Sequence, residues 1–462
     1  MKKFIVSIAT SLFLFTAVAQ EKENPYIPAA EEDVRANIAE WQDMKFGMFI
    51  HWGAYSQLGI IESWSLVPDD ISWMMKPRKN MDYFDYVKMY EGLKNTFNPV
   101  QFDPAKWADA AKYAGMKYVV FTTKHHDGFN MFDTAQTDYK ITSEECPFHT
   151  NPNANVAKAI FSAFREKGIT PGAYFSIADW HNNDFWWKFF PPKSRYINYT
   201  VANHPEKWAA YQDFVAAQLD ELTSGEYGDL SLLWFDLCKS APDGTAEMDW
   251  ARMAKVIRGN QPGTMMVARG TDTIYENYRT PEQLIPDEPL DYPWESCITM
   301  TMSWAWRPGL AYKSVSEILG ILVKVVSRGG NLLLNVGPKP DGTLEDEAYD
   351  RLRGIGDWMQ VNSEAIYGTK PVAPYQDGNV YFTTRDGYVY AFYIPEKEDD
   401  EMPAEISLKG VTPASSSAVR MLGGKRSLKW TRNGDGITVQ IPQQLRQTPP
   451  CGHIWCLKIK VN

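Results

Sequence analysis

Cysteine and histidine are scarce in this chain, five and seven in 462 residues. No CxxC pair and no HExxH occurs, which argues against a Cys-rich structural zinc site and a zinc-protease helix. The odd cysteine count (Cys146, Cys238, Cys297, Cys451, Cys456) leaves at least one free thiol; Cys451 and Cys456, in CGHIWC, are one pair that the spacing permits. No Gly-rich nucleotide fingerprint follows the first strand-like run, and there are no tandem repeats. Basic residues are in deficit, 47 against 57 acidic. The net charge of -10 falls by two more without Lys2 and Lys3, which speaks against nucleic acid or an anionic membrane as partner.

One apolar run stands apart. Lys2 and Lys3 precede Phe4–Ala19, which ends in Ala17-Val18-Ala19. It is short for a membrane span and reads as a secretory signal peptide over 1–19, with no Cys after the cut to carry a lipid. The expected destination is the periplasm or the extracellular space of a bacterium, with no membrane anchor.

What is abundant is aromatic. Phe, Trp and Tyr make up 14% of the chain, a content that suits a sugar-binding cleft as well as a core. Strand-like runs at 45–52, 117–126, 170–180, 230–237, 264–270 and 331–337, with a weaker one at 293–300, alternate with helical patterns. In FDPAKWADAAKYAG, Asp103 is placed to cap, Pro104 to open and Gly115 to end a helix. Strands apolar on both faces between helices imply a (β/α)8-like parallel barrel over 24–370. From 371 to 462 the texture changes to short alternating strands with Asn433-Gly434 and Asp435-Gly436 turns, which predicts an antiparallel β-sandwich.

The polar residues cluster at strand ends. Asp236 closes the apolar run LLWF, where a buried unpaired carboxylate would cost several kcal/mol. His51, His125, His126, Asp179, His181 and Arg269 also end strand-like runs, and Tyr174 lies within one. In a parallel barrel these ends converge on the catalytic face. His51, His125, His126, Asp179, His181 and Asp236 are of metal-ligating type, but adjacent histidines on a strand point to opposite faces unless the strand has already ended, and no His-x-His marks the first strand. A second chemistry uses two carboxylates, as in retaining glycosidases. Asp236 suits the nucleophile; Glu295, in DYPWESC, and Glu62, in IIESW, each lie beside a Trp, where burial raises a carboxyl pKa as a general acid requires.

Together FGMFIHWGAYS, TTKHHDGF, LLWFD, the WES segment, GGNLLLNVGPKPDGTL and WMQVNSEAIYGT resemble glycoside hydrolase family 29, the α-L-fucosidases, over most of residues 40 to 370. The resemblance implies a (β/α)8-like barrel with a C-terminal β-sandwich and no cofactor. It implies Asp236 as nucleophile and His51, His125, His126 and Arg269 as hydrogen-bonding partners of the fucose hydroxyls. Trp234, Tyr174 and Phe49 would line the sugar pocket. Glu62 with Trp64 matches an early Glu-Trp pair, interrupted here by Ser63. Glu295 is the expected acid/base, with Glu62 as fallback. Leu237 stands where the family often has Gly, which implies a different loop geometry beside the nucleophile. SWAWRPG at 303–309 replaces an SWGY-type sequence and puts Ala305 and Trp306 at the rim. The expected substrate is a fucosylated oligosaccharide; a related sugar such as L-galactose, or a catalytically inactive carbohydrate-binding protein, are the other readings.

Overall fold

The computed structural model describes residues 25–68, 81–398, 400–414 and 417–461; the expected signal peptide lies outside them. Helix α1 (Glu32–Met44) leads into strand β1 (Phe46–Ile50) and helix α2 (Tyr83–Glu91). Then α3 (Pro104–Tyr113), β2 (Tyr118–Lys124), α4 (Val156–Glu166), β3 (Thr170–Ser176), α5 (Pro205–Thr223), β4 (Leu232–Asp236), α6 (Trp250–Asn260) and β5 (Met265–Ala268) follow. β6 (Glu295–Thr299), α7 (Val315–Ser327), β7 (Asn331–Val336) and α8 (Asp346–Asn362) complete this part. Local signals set the boundaries: the Asp103 side chain accepts from Lys106 N at 3.1 Å with Pro104 opening α3, and Ser314 with Glu317 forms a capping box on α7.

All seven strands are parallel, in the order β5-β4-β3-β2-β1-β7-β6. The seam between β5 and β6 is bridged by residues 275–283, which follow no regular ladder. Asn277 N donates to Met266 O at 2.9 Å on one side, and Gln283 N to Cys297 O at 3.0 Å on the other. The chain thus closes as an eight-position barrel in which one staves' place is held by an irregular segment.

Alternation along the strands stacks inward-facing residues in layers. Gly47, Tyr118, Leu232 and Glu295 lie low, near the strand starts. Phe49, Val120, Tyr174, Trp234, Val267, Cys297 and Leu333 form the middle of the buried interior. His51, Asp236, Arg269 and Asn335 stand at the top. Gly47 makes this filling possible: a Cβ there would fall 2.5 Å from Cζ of Tyr118. Helix α1 plugs the lower end through Val34, Ile38 and Trp41, whose indole stacks on Tyr278 at 4.0 Å.

Beyond residue 370, β8 (Lys370–Asp377), β9 (Val380–Arg385), β10 (Tyr388–Tyr393), β11 (Glu405–Leu408), β12 (Val419–Met421), β13 (Ser427–Leu428), β14 (Trp430–Asn433), β15 (Gly436–Gln440) and β16 (Trp455–Lys460) form two antiparallel sheets, β13-β12-β16-β10-β9-β8 and β11-β15-β14. They enclose their own core of Phe382, Val419, Val439, Leu457 and Ile459. Tyr381, Tyr390, Phe392, Ile454 and Cys456 belong instead to the core shared with the barrel helices. All five cysteines are free thiols, so the Cys451–Cys456 pairing is not formed.

Candidate active site

Asp236 is the last residue of β4 and faces inward at the barrel's lip, with its side chain about one-fifth exposed. Three groups donate to it. Tyr174 Oη donates to Oδ2 at 3.0 Å, and Leu237 N and Arg269 Nη1 donate to Oδ1 at 2.8 and 3.4 Å. This explains how an acid ends an apolar strand: the carboxylate stands above the core in a ring of hydrogen bonds and one cation. Leu237 itself adopts the left-handed conformation, φ 48°, that a glycine takes without strain. A leucine held there costs about 1 kcal/mol or more, and the strained turn is what aims Leu237 N at Asp236.

The three histidines converge. The β2–β3 ladder is irregular between Thr122 and Lys124, so Lys124 turns outward to Asp179 and Gln218 while His125 and His126 both turn in, their rings 4.0 Å apart. The alternation that argued against both reaching one site is broken by this irregularity. His126 Nε2 lies 3.9 Å from Asp236 Oδ2. Asp179 and His181 are drawn away: Asp179 binds Lys124, and His181 pairs with Glu91 at 2.8 Å. The set of six metal-type residues read from the sequence therefore divides into two separate networks.

Each ring is held neutral, and the tautomers of His51 and His126 are set from behind. Burial holds His51 down to about 4, and burial together with neighbouring cationic and imidazole groups holds His125 and His126 well below the usual histidine range. Asn335 Nδ2 donates to Trp304 O at 2.7 Å, so its Oδ1 accepts from His51 Nδ1 at 2.7 Å. Ser176 Oγ donates to Ala178 O at 2.6 Å and so accepts from His126 Nδ1 at 2.7 Å. Both rings therefore present Nε2 as an acceptor, a match for sugar hydroxyls that donate. His125 Nδ1 meets Ser63 Oγ at 2.5 Å. The serine that interrupts the Glu-Trp pair thus positions a histidine.

Aromatic faces make the walls. Phe49 packs against Trp234 at 5.4 Å, Tyr174 stacks on Trp234 at 5.5 Å and on His125 at 5.6 Å, and Trp64 meets His126 edge-on at 5.0 Å. Trp304 lies 5.0 Å from His51 and 5.9 Å from Phe49. The SWAWRPG segment does meet the site, but through Trp304: Ala305 is buried, and Trp306 packs beside Gly59.

The acid/base expectation needs correcting. Glu295 opens β6, opposite Asn331, at the low end of the barrel. Its side chain is fully enclosed, accepting from Tyr118 Oη at 2.5 Å, Trp234 Nε1 at 3.3 Å and Tyr278 Oη at 3.4 Å. It has the inward parity of an active-site residue, yet it lies beneath Trp234 and supports that indole from below. Burial raises its pKa to about 7, against the pull of those three donors.

Two other carboxyls approach the lip. Glu62 is buried, and its Oε1 accepts from Ala305 N at 2.7 Å. Burial, opposed by that N–H and reinforced by nearby Glu282, lifts its pKa to about 8. Glu282, which the sequence reading passed over, sits on the seam segment with its side chain 38% exposed, and receives Arg269 Nη2 at 2.5 Å. One guanidinium therefore holds Asp236 and Glu282 together. Burial opposes the charge on Arg269, but these two carboxylates raise its pKa and keep it protonated. No local motif marks Glu282; only its bridge to Cys297 across the seam places it.

A carboxylate at the lip of a parallel barrel, a second carboxylate across one arginine, neutral histidines and aromatic walls form the kind of pocket a glycoside hydrolase uses. Family models agree. "Alpha-L-fucosidase" matches residues 13–364 and "Alpha-L-fucosidase C-terminal domain" residues 374–460. The chain belongs to the α-L-fucosidase family, glycoside hydrolase family 29. It is 28% identical to the tissue α-L-fucosidase of Rattus norvegicus, over 92% of this chain and 90% of that one. Against the human tissue enzyme it is 27% identical, over 97% and 95%. Among solved structures, α-L-fucosidase isoenzyme 1 from Paenibacillus thiaminolyticus superposes with TM-score 0.75 at 28% identity, covering 93% of this chain and 100% of that one. The Thermotoga maritima α-fucosidase in complex with fucose gives 0.71 at 27%, covering 94% and 100%.

Proposed function

We propose that this protein is an exported, retaining exo-α-L-fucosidase that removes terminal α-L-fucose from fucosylated glycans, with Asp236 as nucleophile and Glu282 as acid/base. The reading rests on the pairing of Asp236 and Glu282 on Arg269. In the first step Asp236 attacks the anomeric carbon and the glycosidic C–O bond breaks, while Glu282 gives its proton to the leaving oxygen. In the second, ionised Glu282 takes a proton from water, the hydroxide oxygen bonds to the anomeric carbon, and Asp236 departs. Exposure favours Glu282, since the second step needs water at the base and Glu62 is enclosed. Leaving-group binding that draws Glu282 off Arg269 frees the carboxyl to carry the proton to the leaving oxygen.

His51 and His126 accept from fucose hydroxyls through Nε2, and Phe49, Trp234 and Trp304 pack on the face bearing the C5-methyl. Glu62 is the second candidate acid, favoured by a pKa of about 8 that keeps it protonated at neutral pH. The test is hydrolysis of aryl α-L-fucosides with leaving groups of graded acidity. Glu282→Ala should spare the most acidic leaving group, slow the least acidic by about 10²- to 10⁴-fold, and respond to added azide. If Glu62→Ala shows that pattern instead, the roles are exchanged. Export rests on the sequence of residues 1–19 and is checked by N-terminal sequencing of protein from fractionated cells.

A further inference from the structure

The loop after β3 carries a cation that the mechanism does not use. Arg195 is half-buried, with its backbone clamped on both sides: Trp180 Nε1 donates to Arg195 O at 3.1 Å and Trp186 Nε1 to Tyr196 O at 2.9 Å. Those two indoles stack on each other at 5.1 Å, and Ile197 N ties the loop to Ser240 O at 3.1 Å. The guanidinium carbon stands 4.8 Å from the centre of the Trp64 ring. Trp64 in turn borders His126, and His126 borders Asp236. Arg195 is thus one aromatic ring away from the sugar pocket, and its charge reaches His126.

Arg269 pairs with Asp236 and Glu282, Lys124 with Asp179 and Lys207 with Asp184. Among the described residues no carboxylate pairs with Arg195, in a chain with 57 acidic residues to 47 basic. A guanidinium with one face on an aromatic ring keeps its N–H edge free, and that edge matches the paired oxygens of a carboxylate or a sulfate.

We propose that Arg195, seated on Trp64, forms a leaving-group subsite for an anionic sugar, one bearing a carboxylate or a sulfate ester. The subsite rests on the α-L-fucosidase reading above, because it assigns the group that fucose leaves behind. In this proposal the leaving sugar runs outward from the lip over the loop after β3, so that its charge meets Arg195.

The test compares kcat/KM for fucosylated oligosaccharides that differ only in the leaving sugar: neutral, sulfated or carboxylated. The wild-type protein should favour at least one charged substrate by about tenfold, and the preference should shrink as salt rises. Arg195→Ala should bring the charged-to-neutral ratio close to one; general damage to the fold would lower both rates and leave their ratio alone. The sulfated and carboxylated arms separate the two sources of charge. A wild-type ratio near one, or a ratio unmoved by the substitution, overturns the proposal. Calorimetric binding of the unfucosylated sulfated or carboxylated sugar needs no turnover. If aryl α-L-fucosides are not hydrolysed yet that binding is seen and lost in Arg195→Ala, the fucosidase reading fails while the anion site stands. If neither charged sugar binds the wild type, the anion site fails whatever the aryl substrate shows.

Discussion

At the scale of single residues, Asp236 and Leu237 act as one device. The left-handed turn at Leu237 aims its N–H at Asp236 Oδ1, and Tyr174 and Arg269 complete the ring of donors. Leu237→Gly should keep kcat within a few-fold, because glycine takes the same turn without strain. Leu237→Val should lower kcat by tenfold or more, because a β-branched residue resists that conformation. Steady-state kinetics on an aryl α-L-fucoside reads both. Glu295 illustrates the opposite case, an acid whose work is structural. Glu295→Ala should leave Trp234 Nε1, Tyr118 Oη and Tyr278 Oη without their acceptor and destabilise the protein by about 3 kcal/mol, measured by urea denaturation.

At the scale of elements, six of the seven strands were legible as apolar runs, β6 (ESCIT) reading more weakly because Glu295, Ser296 and Thr299 are polar, and each sequence expectation falls on a strand that forms. Asp236 was legible too, since a charge in such a run has to stand at its end. Glu295 was misread because parity is visible in a sequence and height is not. Its level in the barrel is set by its register with Asn331 on β7, a pairing no local pattern reveals. Glu282 escaped for a related reason: the seam segment lacks the alternation of a strand, and TPEQLIPDEP offers several acids without distinguishing one. The turn after β2 depends on Gly128, at φ +78°, where a Cβ would fall 2.1 Å from Asp179 Oδ1. Gly128→Ala should displace His125 and His126, destabilise the protein by about 2 kcal/mol or more and raise KM for the aryl fucoside. Wild-type KM and stability would contradict this account of how the histidines are placed.

At the scale of the whole molecule, three buried carboxyls set a pH dependence. Burial raises Glu62 to about 8 and Asp127 and Glu295 to about 7. Each binds its proton more tightly folded than unfolded, so the stability it contributes is full below its unfolded pKa, near 4 to 4.5, and is lost as pH rises through 7 to 8. Below about pH 6.5 the buried neutral histidines oppose this loss, because the unfolded chain protonates them and the folded one does not. The denaturation midpoint should therefore fall between about pH 7 and 8, where the carboxyls act alone, and Glu295→Gln should flatten the fall; a midpoint that rises across this range would contradict it. The two domains also share a core, with Trp358 Nε1 donating to Ile454 O at 2.8 Å and Phe392 packed among barrel-helix residues. Truncation after residue 370 would expose that surface, and calorimetry of the whole chain should show a single cooperative transition.

The most direct measurement is trapping of the glycosyl-enzyme with a 2-fluoro-fucosyl fluoride, followed by mass spectrometry of the digested protein. The account predicts one fluorofucosyl group, on Asp236 in the peptide SLLWFDLCK. A label on any other carboxylate, or steady turnover of aryl α-L-fucosides by Asp236→Gly, would contradict it.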